Sequence, residues 1–445
     1  MTSPEPPSST APASGRRGAP IVGAVALTTV LIGVVAGVLH WPGSNGDGGD
    51  TVAWAPAGGS PPDVGEPAVT SPEPLRLGHV LPESPTGQAA AVALAVEEVN
   101  AVGGVLGHPL PDPVAGVETD PLKSADVASE VVAEDVHAVI GTGDPVGNGD
   151  VIPVVTGAGA VQCSASDLLS VPSQDATGLY FNANPSFERT TRALARTVAD
   201  DGHRSVGVVV GLDPHSVLVH RALAKELEGT GVEIVVEDRT DPTEFEDPVL
   251  LTPDMAGAAG ALLEQEVDAV VLGNPLWDED LVSSLVEEGM TADRLYVTGH
   301  QYSLGRADDF QQASGRDLAG LTTVRPHTGS GDFHDFLGST PGSGAAAAFD
   351  CVTIIALAAE AAGGVEPAGI AAHMPAVTSG GTPCAGYADC VRLLREGTEV
   401  AYTGPRGPAS WDGDRMLATE YLEVVRHGGG SGDDQVEVRS FGPSD

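Results

Sequence analysis

Short apolar runs alternate with polar, Gly- and Pro-rich breaks along most of this chain, and the best defined block covers residues 75–120. Residues 75–81 read as a short apolar strand that breaks at Pro82, and Ser84, Pro85, Thr86 and Gly87 form a turn. Residues 88–100 are rich in Ala and Val with Glu97 and Glu98 late, which predicts a helix. The helix stops at Gly103-Gly104, where residues free to take positive φ satisfy the last carbonyls. A second strand over 114–118 completes a βαβ unit, which implies a parallel sheet with its ligand face at the carboxyl ends of the strands.

The alternation continues. A helix over 122–133 leads into a buried strand, 137–140, which ends in the run Gly141-Thr142-Gly143-Asp144-Pro145-Val146-Gly147-Asn148-Gly149. A Gly-rich loop after a strand invites a phosphate reading, but no Lys-Ser/Thr follows and no long helix is expected to open on it. A ligand-facing loop is the better expectation. Next come residues 151–155 and a strand over 159–162 that ends in Cys163-Ser164-Ala165-Ser166-Asp167. Helices over 187–200, 215–228, 255–266 and 279–288 then alternate with strands over 206–210, 232–236, 269–272 and 294–297, which predicts a second open parallel sheet. A strand over 321–324 carries the chain back, and an apolar helix opens at Phe349-Asp350-Cys351 and runs through Ala361.

The N-terminal part is different. Residues 1–19 are Ser, Pro and Ala with Arg16-Arg17 and are expected to be a disordered cytoplasmic tail. From Pro20, twenty residues run without a charge, about 30 Å as a helix, so residues 20–41 are expected to be a transmembrane anchor. Arg16 and Arg17 precede it and Asp47 and Asp50 follow, which places the tail inside and the rest outside, a single-pass protein of the cell membrane with an extracytoplasmic C-terminal domain. A cleaved signal peptide is the alternative. The uncleaved anchor is favoured because Ala53-Trp54-Ala55 is followed by Pro56, a poor cleavage site, and no lipid-anchor cysteine follows the apolar run. Residues 42–74 are Gly, Ser, Pro and Asp without apolar period and are expected to be a flexible linker.

Glu97-Glu98-Val99-Asn100 followed by Gly103-Gly104 and Gly107 resembles the first helix and stop of the type I solute-binding proteins of ABC transporters, the branched-chain amino-acid-binding group. Tyr180-Phe181-Asn182-Ala183-Asn184-Pro185 resembles the family's first crossover, and Phe349-Asp350-Cys351 opens a helix that resembles its "YDA" helix. Tyr402-Thr403-Gly404-Pro405-Arg406-Gly407-Pro408 and Trp411-Asp412-Gly413-Asp414 resemble the turn and edge strands that close the second lobe. The resemblance spans about residues 75–427. It implies an α/β fold of two Rossmann-like lobes with parallel sheets joined by a hinge, residues 75–183 plus 325–390 forming lobe I and 184–324 plus 391–445 lobe II. It also implies capture of a small amino-acid-like or amide solute between the lobes and delivery to an ABC transporter permease.

Carried over position by position, the family's Ser/Thr contact falls on Ser166, with Ser164 and Ala165 offering groups beside it; a Ser N-cap of the following turn is the structural alternative. The loop after the third strand, with Gly147, has Asp144 where a hydroxyl is expected. The second lobe's tyrosine position falls near Asn274 and Trp277. The position of the amine-neutralising acid falls on Gly299-His300-Gln301-Tyr302, which has no carboxylate, so a branched-chain amino acid is not a secure assignment. Trp277 and Tyr302 stack on a ligand or pack the wall.

Composition narrows the field. A formal charge of −41 with only Lys123 and Lys225 as lysines argues against nucleic acid, because phosphate contacts need cations. Four cysteines form an even set suited to an extracytoplasmic compartment. Cys384 and Cys390 are close enough to bridge in a surface loop, and Cys163 with Cys351 would staple sheet to helix; two buried thiols are the alternative for the latter pair. No Cys-x-x-Cys or paired His suggests a metal, Asp412 and Asp414 read as a polar turn before a calcium site, and His215 and His300 have no partner motif. With no His-Glu-x-x-His, Gly-x-Ser-x-Gly or Walker loop, neither an enzyme nor a cofactor is expected. The rival function is a membrane-anchored sensory or interaction ectodomain with a degenerate type I binding fold.

Overall fold

β1 (Leu77–Leu81) is the central strand of the first sheet, and its alternation decides which helices cover which face. Leu77 and Leu81 point into one apolar layer and Val80 into the other. The computed structural model describes residue 54 and residues 62–82, 87–143, 145–166, 177–209, 214–238, 262–272, 278–298, 317–338, 344–428 and 434–442. The expected tail and anchor, residues 1–41, lie outside these described residues.

After β1 come α1 (Gln88–Ala101), β2 (Val114–Val117), α2 (Ser124–Val132), β3 (Ala138–Gly141), α3 (Pro145–Gly157), β4 (Val161–Ser164) and β5 (Tyr180–Asn182). The strands pair in the order β2-β1-β3-β4-β5, all parallel. The α1 helix ends where Gly103 and Gly104 donate to the carbonyls of Asn100 and Val99, both glycines having positive φ. One difference from the sequence expectation is α3, which opens directly on the Gly-rich run. Pro145 is acceptable at a helix start, and Val151, Ile152 and Val155 supply a buried face that overrides the weak propensity of Gly147 and Gly149.

The chain crosses to the second lobe at residues 183–186 and forms α4 (Phe187–Asp200), β6 (Ser205–Val209), α5 (Pro214–Leu227), β7 (Glu233–Asp238), β8 (Ala269–Leu272), α6 (Asp278–Glu287), β9 (Leu295–Thr298) and β10 (Thr322–Pro326). In β8, Ala269 and Val271 face one apolar cluster and Val270 and Leu272 the other, so this sheet is also covered on both sides.

The second crossover, residues 327–330, returns to the first lobe through α7 (Gly331–Leu337), α8 (Ala345–Ala362), α9 (Pro367–Thr378), β11 (Thr382–Ala385), α10 (Gly386–Arg395), β12 (Val400–Gly404) and β13 (Gly407–Pro408). Among the described residues only α8 is long and apolar enough to cross a membrane, and it is the buried core helix of the first lobe. The third crossover, residues 409–419, leads to β14 (Glu420–Arg426) and β15 (Gln435–Phe441), antiparallel additions that give the second sheet the order β15-β14-β10-β9-β8-β6-β7.

Three expectations are corrected here. Val391, Val400, Tyr402 and Ala409 belong to the first lobe's core, so residues 391–409 stay in that lobe, and the 402–408 turn closes the first lobe, not the second. Their apolar side chains pack in one core with those of α8. The linker assigned to 42–74 is docked where it is described: Trp54, Val64 and Ser71 are buried, because Trp54 finds an aromatic pocket that Gly and Pro around it do not announce. Cys384 and Cys390 do bridge, but from β11 and α10 inside the core and not in a surface loop. Cys163 and Cys351 form the second bridge. It closes a span of 188 residues that contains the second lobe's parallel strands, and restriction of so long a loop in the unfolded chain is worth about 5 kcal/mol.

Glu98 is the costly member of this core. It is 8 % exposed, and burial pushes its carboxyl up to about 7, only partly opposed by the Tyr387 N–H. An acid raised in the folded state favours the folded state at low pH, fully below about pH 4.5, and that contribution is lost as pH rises through about 7. Glu98→Gln is therefore expected to match the parent stability near pH 4.5 and exceed it by about 3 kcal/mol at pH 8. Urea unfolding at both pH values measures the difference, and equal stability at pH 8 refutes it.

Candidate functional site

The carboxyl ends of β3 and β4, with Tyr180 at the start of β5, carry a buried polar network. Period-two alternation in β4 sends Gln162 and Ser164 toward α3 and Cys163 toward α8. Asn148, in the first turns of α3, donates from Nδ2 to Ser164 Oγ at 3.0 Å and to Tyr180 Oη at 3.1 Å. Gln162 Nε2 donates to Asn148 Oδ1 at 3.1 Å and to the Gly141 carbonyl at 2.8 Å. Ser164 Oγ and Ser166 Oγ lie 3.1 Å apart, and both serines are fully buried. Buried hydroxyls and amides cost free energy unless paired, and here all but Gln162 Oε1 among these named groups pair with one another or with backbone.

Gln88 braces the same site from the start of α1. Its Nε2 donates to the Ala165 carbonyl at 3.0 Å. A Cβ on Gly344 would lie 2.3 Å from both that oxygen and Gln88 Nε2, so only glycine lets the start of α8 come this close. The N-caps of α1 and α8, Gly87 and Gly344, carry no side-chain cap. The first-turn N–H groups of both helices thus start beside Ala165, where acceptor groups of a ligand are favoured. The Cys163–Cys351 bridge fixes the residue before Ser164 to α8.

Of the residues expected in the site, Ser164, Ala165 and Ser166 come together, and Gly147 is buried in α3 beside Asn148. Asp144, Asn274, Trp277, His300, Gln301 and Tyr302 lie outside the described residues. Gln88, Asn148, Gln162 and Tyr180 were not singled out as site residues. The signal for one of them was present: Gln162 interrupts the apolar run of β4.

Beside the half-site lie the crossovers, each held by a buried ion group. Asp350 in α8 accepts from Arg406 Nε and Nη2, both at 3.1 Å, and from Tyr402 Oη at 2.8 Å. Burial pushes the Asp350 carboxyl up, against the pull of Arg406 and Tyr402. Arg406 Nη2 also donates to the Ala183 carbonyl in the first crossover, and Pro405 O accepts from Ser330 N in the second at 2.9 Å. On the second lobe's side, Arg189 pairs with Asp412 and Glu420, and Glu420 accepts from Ser186 N. Asp412 takes the N–H groups of Asp414 and Met416, so it serves a turn and an ion pair, and no metal-type cluster occurs among the described residues. Burial alone would raise Glu423, but His327, Arg325 and the Thr328 N–H hold it at about 2.

Two α/β lobes joined by three crossovers relate this chain to known proteins. The periplasmic binding protein family profile matches residues 81–389, and the chain belongs to that family, with its type I fold. Comparison of structures gives the leucine-binding protein LivK of Thermotoga maritima at 15 % identity and TM-score 0.60, covering 83 % of this chain and 99 % of that one. LivJ of Streptococcus pneumoniae, solved with isoleucine, matches at 17 % identity and TM-score 0.59 over 82 % of this chain and 100 % of that one. A solute-binding protein of R. palustris, solved with 4-hydroxybenzoate, matches at 17 % identity and TM-score 0.61 over 83 % and 97 %. A search of curated proteins by sequence finds no match.

The Asp350–Arg406 pair, which ties two crossovers to the first lobe, responds to substitution in a predictable way. Arg406→Met leaves Asp350 buried without its cation and is expected to cost about 3–5 kcal/mol, much of it recovered when Asp350→Asn is added. A double-mutant cycle by urea unfolding measures the coupling, and additive losses refute it.

Proposed function

We propose that this protein is an extracytoplasmic solute-binding protein that captures a small carboxylate-bearing or amide solute between its lobes and delivers it to an ABC importer permease. The observation that supports this most is the half-site at Ser164, Ala165 and Ser166, set at strand ends beside the starts of α1 and α8. Hydroxyls and first-turn N–H groups suit the oxygens of a carboxylate or amide. Leucine, isoleucine and 4-hydroxybenzoate, the solutes named with the structural neighbours, have a carboxylate in common. The absence of an acid in Gly299-His300-Gln301-Tyr302 supports including aromatic acids beside amino acids and amides. Binding uses no covalent step. Anchoring through residues 20–41 and a position at the outer face of the membrane belong to the same proposal, on the uncharged run and its flanking charges.

A thermal-shift screen of the full chain against branched-chain amino acids, hydroxybenzoates and simple amides tests the reading, since a solute bound only by the folded state raises the melting temperature. At one hundred times its Kd, a solute is expected to contribute about 2.7 kcal/mol, and Ser166→Ala is expected to abolish most of the shift. A folded protein that responds to none of these solutes favours the sensory ectodomain instead.

A further inference from the structure

We propose that the N-terminal arm, Trp54 with residues 62–74, is a strap that fastens α7 to the first lobe and so restrains the hinge. This goes beyond solute binding and is carried by ring contacts that do not involve Ser164, Ala165 or Ser166.

Trp54 is 4 % exposed, although its sequence surroundings are Ala, Gly, Pro and Ser. Its ring meets Phe333 and Phe349 edge-on, each at 5.7 Å between centroids, and Phe336 at 6.0 Å. Phe333 and Phe349 also meet edge-on at 5.4 Å. One ring therefore comes from the arm, two from α7 and one from α8. Edge-on aromatic packing of this kind is worth more than the area it buries.

α7 needs such an anchor. It has seven residues, too few to be stable alone, and Phe333 is its one fully buried residue. It begins directly after the second crossover. Ser330 caps it, with its side chain accepting from Phe333 N and its own N–H on Pro405 O. His334 of α7 lies 3.3 Å from Thr328 Oγ1, and Thr328 donates to Glu423 of β14 in the second lobe. A chain of contacts thus runs from Trp54 through α7 to the second lobe's sheet. Phe349 adds another route, being the neighbour of Asp350, the partner of Arg406.

The rest of the arm is tied down. Val64 is buried, Arg395 Nη1 donates to Gly65 O at 2.8 Å, Ser71 N donates to Leu106 O at 3.2 Å, and His108 Nε2 lies 2.8 Å from Ser71 O. Residues 64–71 are therefore attached along the same lobe that forms the ring's pocket. With α7 pinned, bending at the second crossover is confined to residues 327–330. Without the ring, α7 is free to follow the crossover.

The test uses the full chain without solute, so its outcome is independent of whether any solute is found. Trp54→Ala, Trp54→Phe and, as a packing control in α9, Ile370→Ala are compared by hydrogen–deuterium exchange and by spin-label distances between the lobes. Trp54→Ala is expected to speed exchange of residues 327–337 at least tenfold over Ile370→Ala and to broaden the distance distribution, with Trp54→Phe restoring both. If Trp54→Ala and Ile370→Ala lower the melting temperature while exchange at 327–337 stays at the parent rate, the tryptophan is core packing only and the proposal fails. If Trp54→Ala does not fold, Phe336→Ala, which trims a half-buried ring from the same cluster, is read against the same two outcomes.

Discussion

The buried carboxylate of Asp350 is the constraint around which the centre of this protein is arranged. A charge withdrawn from water must be met by donors at close range, and every element near it is shaped to supply them. Arg406 offers two nitrogens and Tyr402 its hydroxyl. Gly404 is required between them, since a Cβ there would lie 1.9 Å from Asp350 Oδ1. The turn that presents Arg406 then fixes more than the charge. The same guanidinium holds Ala183 and the preceding proline's carbonyl holds Ser330, so two crossovers leave the first lobe at positions set by one ion pair. The third begins directly after β13, the strand that ends this turn.

The half-site depends on a second constraint, the alternation of β4. Because Cys163 and Ser164 point to opposite faces, a covalent tie on one face locates a hydroxyl on the other. Around that hydroxyl the partners are neutral. Ser164 bonds to Asn148 and Ser166, and Asn148 to Gln162 and Tyr180, so these links of the buried network run between neutral groups. Several paired charges lie instead at the crossovers, Arg189, Glu420, Asp412, Arg325 and Glu423 among them. Neutral donors and acceptors thus lie at the strand ends and ion pairs at the crossovers.

Much of this was legible in the sequence because it rests on local pattern. The βαβ rhythm, the Gly103-Gly104 stop and the even cysteine set each follow from short-range rules, and they gave both lobes and both bridges. What was not legible depends on distant partners. Nothing near Trp54 foretells a pocket made by Phe333, Phe336 and Phe349, roughly three hundred residues on. Arg406 reads as one charge in a turn until Asp350 is beside it. Residues 391–409 carry the same apolar content in either lobe, so their place in the first core was decided by packing with α8, not by period. Similarly, α3 was hidden because its glycines signal a loop while its buried valines form a helix only with the sheet beneath them.

The chain's net charge sets a further condition on the half-site. At −41, the far field repels an anion and gives no help in drawing a carboxylate toward the cleft. At physiological ionic strength that field is screened over about 8 Å, so it weighs on approach far more than on the bound state. Capture then depends on what lies within hydrogen-bonding reach, and the site offers neutral hydroxyls and the uncapped starts of two helices. Partial charges of this kind act over a turn or so of helix and leave the surface field almost unchanged. Specificity and affinity are in this way placed in short-range geometry, and salt is expected to alter the rate of association more than the strength of binding.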